Sequence, residues 1–374
     1  MGTANNLQLI QGRFSLEQNS LEPSKRIAIP VDLIRTIAIG LVVLLHASNE
    51  ALQASSVPAP YWWTALVYKS LALSCVPLFV MLSGALLLQP AKLDEPIRVF
   101  LRKRLSRIGL AFGFWSMVYL AWGFYVTNVP VTLSYVVQGI VKDFFTGAWY
   151  HFWFIYLIVG LYLITPILRI FISNGNPRIT RYLISIWFTG IAIIPLIQLG
   201  LGYTINAGVF IIGGFIGYFV MGNYLQKVTL RPLILHGLLI ASFVDTIFGV
   251  WLMTYPLSSL GQNNYFLGYL TVNVIAGSAA LFLILLKFKP DWPGTSHTAT
   301  RRVIQAISNN TLPIFLFHIV ILETFERGLL GFKISFTNLN PIVEIPLLAA
   351  LTFFITFGLI LLMRKVPVLK KLIG

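Results

Sequence analysis

The stretch RIAIPVDLIRTIAIGLVVLLH, residues 26–46, decides the fold. With its flanks it reads as a membrane span over 27–48, because a crossing helix needs about 20 mostly apolar residues. Inside it stand Asp32, Arg35 and His46. A guanidinium at that depth costs on the order of 2.5–3.5 kcal/mol on insertion scales, so it requires a partner, a wet cavity or a function. Asp32 lies three residues earlier on the same helical face and can offset part of the charge. His46 follows Arg35 by eleven residues, which is about three turns and roughly 16 Å along the axis, on nearly the same side. A fixed cation and a titratable imidazole on one face of one span mark a candidate site.

The rest of the chain has the same character. Of 374 residues, 57% are hydrophobic and 10% charged, and the mean hydropathy is +0.82; a soluble domain carries about a quarter charged residues. The apolar runs predict an all-α polytopic membrane bundle of about ten transmembrane helices: 27–48, 66–88, 108–127, 150–171, 182–200, 205–225, 232–252, 266–287, 308–327 and 345–363. No series of short alternating strands suggests a barrel. Residues 1–24 are polar and read as a flexible cytoplasmic tail, leaving 25–374 as one membrane domain. The sole cysteine, Cys75, lies in an apolar run and provides neither a disulfide framework nor a thiolate metal site.

Ten spans sort the basic residues. Twenty-two of the 27 lysines and arginines fall on one side, among them Arg98, Arg102, Lys103, Arg104 and Arg107. Four fall on the other (Lys69, Lys142, Arg327 and Lys333), and Arg35 stays within the membrane. That bias predicts that both termini are cytoplasmic, in the inner membrane. It also accounts for the net charge of +15 without invoking nucleic acid. Pro77, Pro166, Pro195 and Pro313 are expected to kink their spans. Glycines in the sixth span (Gly208, Gly213, Gly214, Gly217, Gly222) suit close helix packing. Residues 129–146 are too short and polar to cross and should lie on the outer surface or fold over a cavity.

Depth now orders the candidate site. Arg35 and Ser83 sit low, His318 central, and His46 and His151 high, above a basic cluster containing Arg104 and Arg107. Such a ladder suits a long donor with anionic phosphates at the inner end and a reactive group further up; coenzyme A has that shape. Acyl transfer to a hydroxyl needs a base, which imidazole supplies near neutral pH. It also needs donors for the oxyanion, from Trp149, Trp153 or a second histidine. A covalent acyl-histidine relay is the other route, and the sequence leaves both open. The bland readings stand beside these. Arg35 braces Asp32; Arg102 to Arg107 set topology and touch phospholipid; His151 and Trp153 belong to an interfacial belt; His236 is structural. Asp245, Glu50 and Glu323, towards the outer side, line an acceptor pocket or simply face water. No metal-ligand spacing and no glycine-rich nucleotide loop occur.

At these residues the chain resembles acyltransferase family 3, the multi-span membrane O-acyltransferases. The resemblance rests on Asp32-x-x-Arg35-x(10)-His46, Phe79-x-x-x-Ser83-Gly84, Arg104-Leu-Ser-Arg107-Ile, His151-x-Trp153-Phe154 and Ile314-Phe-Leu-Phe-His318. It implies transfer of an acyl group, acetyl first, from cytoplasmic acyl-CoA to a hydroxyl of a surface glycan or glycolipid. Arg35 is then a donor contact, with Arg104, Arg107 and Ser83, and His46 the catalytic group, while His151, Trp153 and His318 contact substrate. Val80 departs from the family's second aromatic after Phe79. A transporter or flippase for a glycan or anionic solute is the competing reading, weakened by the lack of an internal repeat.

Overall fold

A computed structural model describes residues 30–53, 57–128, 131–173, 177–201, 213–255, 265–288 and 298–374. The predicted tail, part of the sixth span with Gly208, and His297 lie outside these. The described residues are helical: α1 (Val31–Ala47), α2 (Ala59–Leu87), α3 (Ile97–Thr127), α4 (Leu133–Thr146), α5 (Trp153–Ser173), α6 (Pro177–Leu199), α7 (Ile216–Leu225), α8 (Pro232–Thr254), α9 (Val272–Leu286), α10 (Thr298–Asn309), α11 (Thr311–Glu326) and α12 (Pro341–Met363). Among the described residues seven helices are long and apolar enough to cross a membrane, or eight if the α10–α11 pair is one broken span. The chain is a multi-pass membrane protein. The first predicted span is the 17-residue α1, about 26 Å long. The sixth is described only as the ten residues of α7.

Helix α1 is the axis of the bundle. It packs against α2, α10, α11 and α12, and buries Ile34, Ala38, Ile39, Val42, Val43 and Leu45. Prolines set the breaks. A proline ring collides with the carbonyl four residues earlier. Helix α2 breaks at Leu73–Ser74, ahead of Pro77. Helix α6 loosens into a π turn over Thr189–Ile193, ahead of Pro195. The chain bends by 77° between α10 and α11, ahead of Pro313. Helix α5 continues through Pro166.

Small residues let α2 and α7 touch backbone to backbone. A Cβ built on Gly84 would strike the Phe219 carbonyl, and one on Gly222 the Met81 carbonyl. Arg169, on the basic side in the sequence reading, is not a loop residue. It is 4% exposed within α5. Its Nε donates to the Leu87 carbonyl at 2.8 Å, its Nη2 pairs with Glu95 at 2.9 Å, and its guanidinium covers the Phe100 ring at 4.5 Å. Helix α4, within the segment expected on the outer surface, packs on α3 and is exposed along most of its length.

The last residues fold back. Arg364 donates to Asn310 Oδ1, to the Asn309 carbonyl at 3.4 Å and to the Gly374 carbonyl at 3.0 Å. Trp115 Nε1 donates to the Ile373 carbonyl at 3.3 Å.

Candidate active site

The α10–α11 bend opens a cleft of about 280 Å³ beside α1, and α2, α3 and α5 complete it. Four of the donor residues expected from sequence meet there: Arg35 from α1, Ser83 from α2, and Arg104 and Arg107 from α3. Lys103 joins them. Arg104, Arg107 and Ile108 are spaced by three and four residues, which puts them on one helix face; Arg102 does not line the cleft. Arg104 Nε is buried with no hydrogen-bond partner among the described residues. Four cations around one cavity favour an anionic ligand. Apolar walls from Phe79, Phe154, Ile158 and Phe315, with Tyr162, complete the lining.

Asp32 does not pair with Arg35 within ion-pair distance. Its Oδ1 instead accepts a hydrogen bond from Ser308 Oγ at 2.6 Å, joining α1 to α10.

The three predicted histidines converge from α1, α11 and the turn Tyr150–Phe152. The ring of His46 lies 5.2 Å from that of His318 and 6.5 Å from that of His151, and His151 and His318 are 5.5 Å apart. They form one cluster rather than successive rungs. His151 and His318 are buried, whereas His46 keeps accessible surface. His318 Nδ1 contacts the Phe315 and Ile314 carbonyls at 2.7 and 3.2 Å. A carbonyl only accepts, so Nδ1 carries the proton and Nε2 a free lone pair. His318 Nε2 and His46 Nδ1 are both buried without partners among the described residues. No group among the described residues is arranged to hold a metal ion.

The sequence implies one continuous berth from Arg35 to His46, but the cleft stops at aromatic rings. Phe315 lines it and also lies 5.4 Å from His151 and 6.0 Å from His318. The Phe154 ring lies 5.2 Å from Phe315 and 6.0 Å from Phe79, tilted against both. Trp153 does not reach the cluster: its ring packs against Phe215 and Tyr269, at 5.7 and 5.9 Å. Trp149 is not a free oxyanion donor, since its Nε1 donates to Glu323 at 2.8 Å. Trp122 and Arg327 hold the same carboxylate at 3.0 and 3.2 Å. His236 is held within its own helix, its Nδ1 2.7 Å from the Pro232 carbonyl one turn earlier. The sequence reading missed Phe315, Tyr162 and Tyr150, whose ring is 5.4 Å from His46. Tyr150 and Phe315 stand in the Trp149-to-Phe154 and Ile314-to-His318 runs, beside the residues singled out there, whereas Tyr162 carries no local signal in its apolar span.

A family model described as an acyltransferase domain matches residues 30–361. No curated protein and no solved structure matches the chain.

Proposed function

The chain belongs to this acyltransferase family, which covers nearly its whole length, and from that membership we propose that it carries an acyl group from cytoplasmic acyl-CoA, acetyl-CoA first, to a hydroxyl of a cell-surface or envelope glycan or glycolipid, in the inner membrane. The observation that carries the donor assignment is the meeting of Arg35, Lys103, Arg104 and Arg107 in one cleft that ends against the histidine cluster.

Arg35, Arg104 and Arg107 hold the donor's phosphates through guanidinium forks, and the Lys103 ammonium adds a point charge. The pantetheine arm runs along Phe79, Phe154 and Ile158 with Ser83 at its side. Phe315 swings aside to admit the thioester. His46 Nδ1–H turns to His318 Nε2, which fixes the tautomer that leaves His46 Nε2 as the base. That nitrogen takes the acceptor's proton while the oxygen attacks the thioester carbon. The tetrahedral intermediate collapses with cleavage of the carbon–sulfur bond, and the imidazolium returns its proton to the departing thiolate. His151 packs the other side of the base.

The test is transfer of label from acetyl-CoA, with mass spectrometry of surface glycans from cells with and without the gene. Identical glycans, with no label incorporated, would defeat the proposal. Movement of an unaltered solute would favour the transporter.

A further inference from the structure

The cleft has an apolar neighbour. On the other side of the seam where α3 packs on α5 lies a groove of about 370 Å³. Its lining is Leu105, Gly109 and Phe112 of α3, Phe145 of α4, and Tyr156 and Val159 of α5. It opens outward from the bundle, since Gly109 and Tyr156 are exposed and Phe145 is 75% exposed. Two further residues line both the cleft and the groove: Ile108 of α3 and Ile155 of α5. Both are buried. Helical spacing explains the double role. On α3 the cleft takes Arg104, Arg107 and Ile108, and the groove takes Leu105, Ile108 and Gly109. On α5 the cleft takes Phe154, Ile155 and Ile158, and the groove takes Ile155, Tyr156 and Val159. Positions 108 and 155 are therefore the shared edges of two adjoining helix faces, and a pair of isoleucine side chains stands between the cavities.

This partition lies at the height of the reacting end. Ile155 follows His151 by four residues and precedes Tyr162 by seven, which is about 6 Å from the histidine and about 10 Å from the tyrosine along the axis. On α3, Ile108 lies one turn beyond Arg104, and Phe112 one turn further on. The Phe112 ring is 5.7 Å from that of Phe152, which lies 4.9 Å from His151. A thioester carbon is trigonal, so its acyl chain leaves sideways rather than along the pantetheine arm. Isoleucine in a helix is held close to one χ1 rotamer, which makes such a wall stiff.

We propose that Ile108 and Ile155 set the length of the transferred group: together they restrict the donor to a short-chain acyl-CoA, and truncating either one opens the cleft into the groove, which then holds a longer chain. The proposal rests on the acyl-CoA reading of the cleft and deepens it. The reaction itself is unaltered. The carbon–sulfur bond breaks, the ester bond to the acceptor oxygen forms, and coenzyme A leaves as the thiol.

The test is a series of acetyl-, butyryl- and hexanoyl-CoA, competed against labelled acetyl-CoA on the purified protein in nanodiscs. The unaltered protein should bind hexanoyl-CoA more weakly than acetyl-CoA. Ile108→Ala or Ile155→Ala should raise the hexanoyl-to-acetyl affinity ratio by about 10–100-fold, since each buried methylene is worth roughly fourfold. Ile108→Val should shift it in the same direction by less, and serves if the alanine variants do not fold. Ile158→Ala removes the same atoms from a residue that lines the cleft but not the groove, so the ratio should stay as it is. Gly109 has open space where a Cβ would stand. Gly109→Leu should keep acetyl-CoA affinity and, combined with Ile108→Ala, cancel the gain by filling the groove. Acetyl-CoA binding reports that each variant is folded. Equal affinity of the unaltered protein for both donors, no shift on truncation, the same shift from Ile158→Ala, or a gain that survives Gly109→Leu overturns the proposal. Absence of acetyl-CoA binding by the unaltered protein overturns the donor reading instead.

Discussion

At the scale of single residues, the chemistry divides between charge and imidazole. His46 is the one clustered histidine that keeps accessible surface, so His46→Ala should lower transfer by about 10²–10⁴-fold, the usual contribution of a positioned base. Membrane levels should be unchanged, and a variant with full activity would remove His46 from the mechanism. In the proposed mechanism His318 acts through His46, so His318→Ala should reduce kcat while KM for acetyl-CoA stays constant; a rise in KM alone would point to a packing role. Arg35→Ala should act in the other sense. Loss of a charge-assisted contact weakens donor affinity by about tenfold or more, read as KM for acetyl-CoA or by direct titration. Arg35, Arg104, Arg107 and the three histidines stood out in the sequence because ionisable groups in apolar helices are rare, whereas Ser83 entered through the Phe79-x-x-x-Ser83-Gly84 pattern. Trp149 and Trp153 were misassigned because a one-dimensional pattern does not show which face a ring takes. Trp149 turned out to serve Glu323, and Trp153 to pack on Phe215 and Tyr269.

At the scale of elements, proline and glycine explain most of the geometry. The spans at 150–171, 232–252 and 266–287 were readable to within a few residues, because a helix crossing lipid must be long and apolar. Breaks were foreseen at Pro77, Pro195 and Pro313, but their consequence was not. The 77° bend ahead of Pro313 makes one wall of the cleft. The α2–α7 contact tolerates no side chain, so Gly84→Leu should disrupt it and lower the thermal midpoint and the folded yield. Gly40→Ala, with open space around it, should leave both unchanged. Equal behaviour of the two variants would refute the contact. Arg169→Leu removes one partner of a largely buried pair. It should cost on the order of 3 kcal/mol, the lower end for such losses, because Glu95 is 29% exposed on its side chain. Thermal unfolding in detergent measures it.

At the scale of the molecule, the arrangement is a conduit interrupted by aromatic rings. The basic cleft lies on one side of these rings, and the histidines pack against Phe315 on the other. Sequence alone ordered the residues by height and set His318 below His46 and His151, where the structure brings all three rings together. It did not supply the lateral packing that gathers His46, His151 and His318, since contacts between distant helices leave little local trace. The folded-back end has a practical consequence. Gly374 is fastened by Arg364, and its surroundings include Leu312, a residue of the cleft wall. A purification handle fused after Gly374 should therefore pry that wall and raise KM for acetyl-CoA. An assay run on such a fusion therefore reads a disturbed donor cleft rather than the native one.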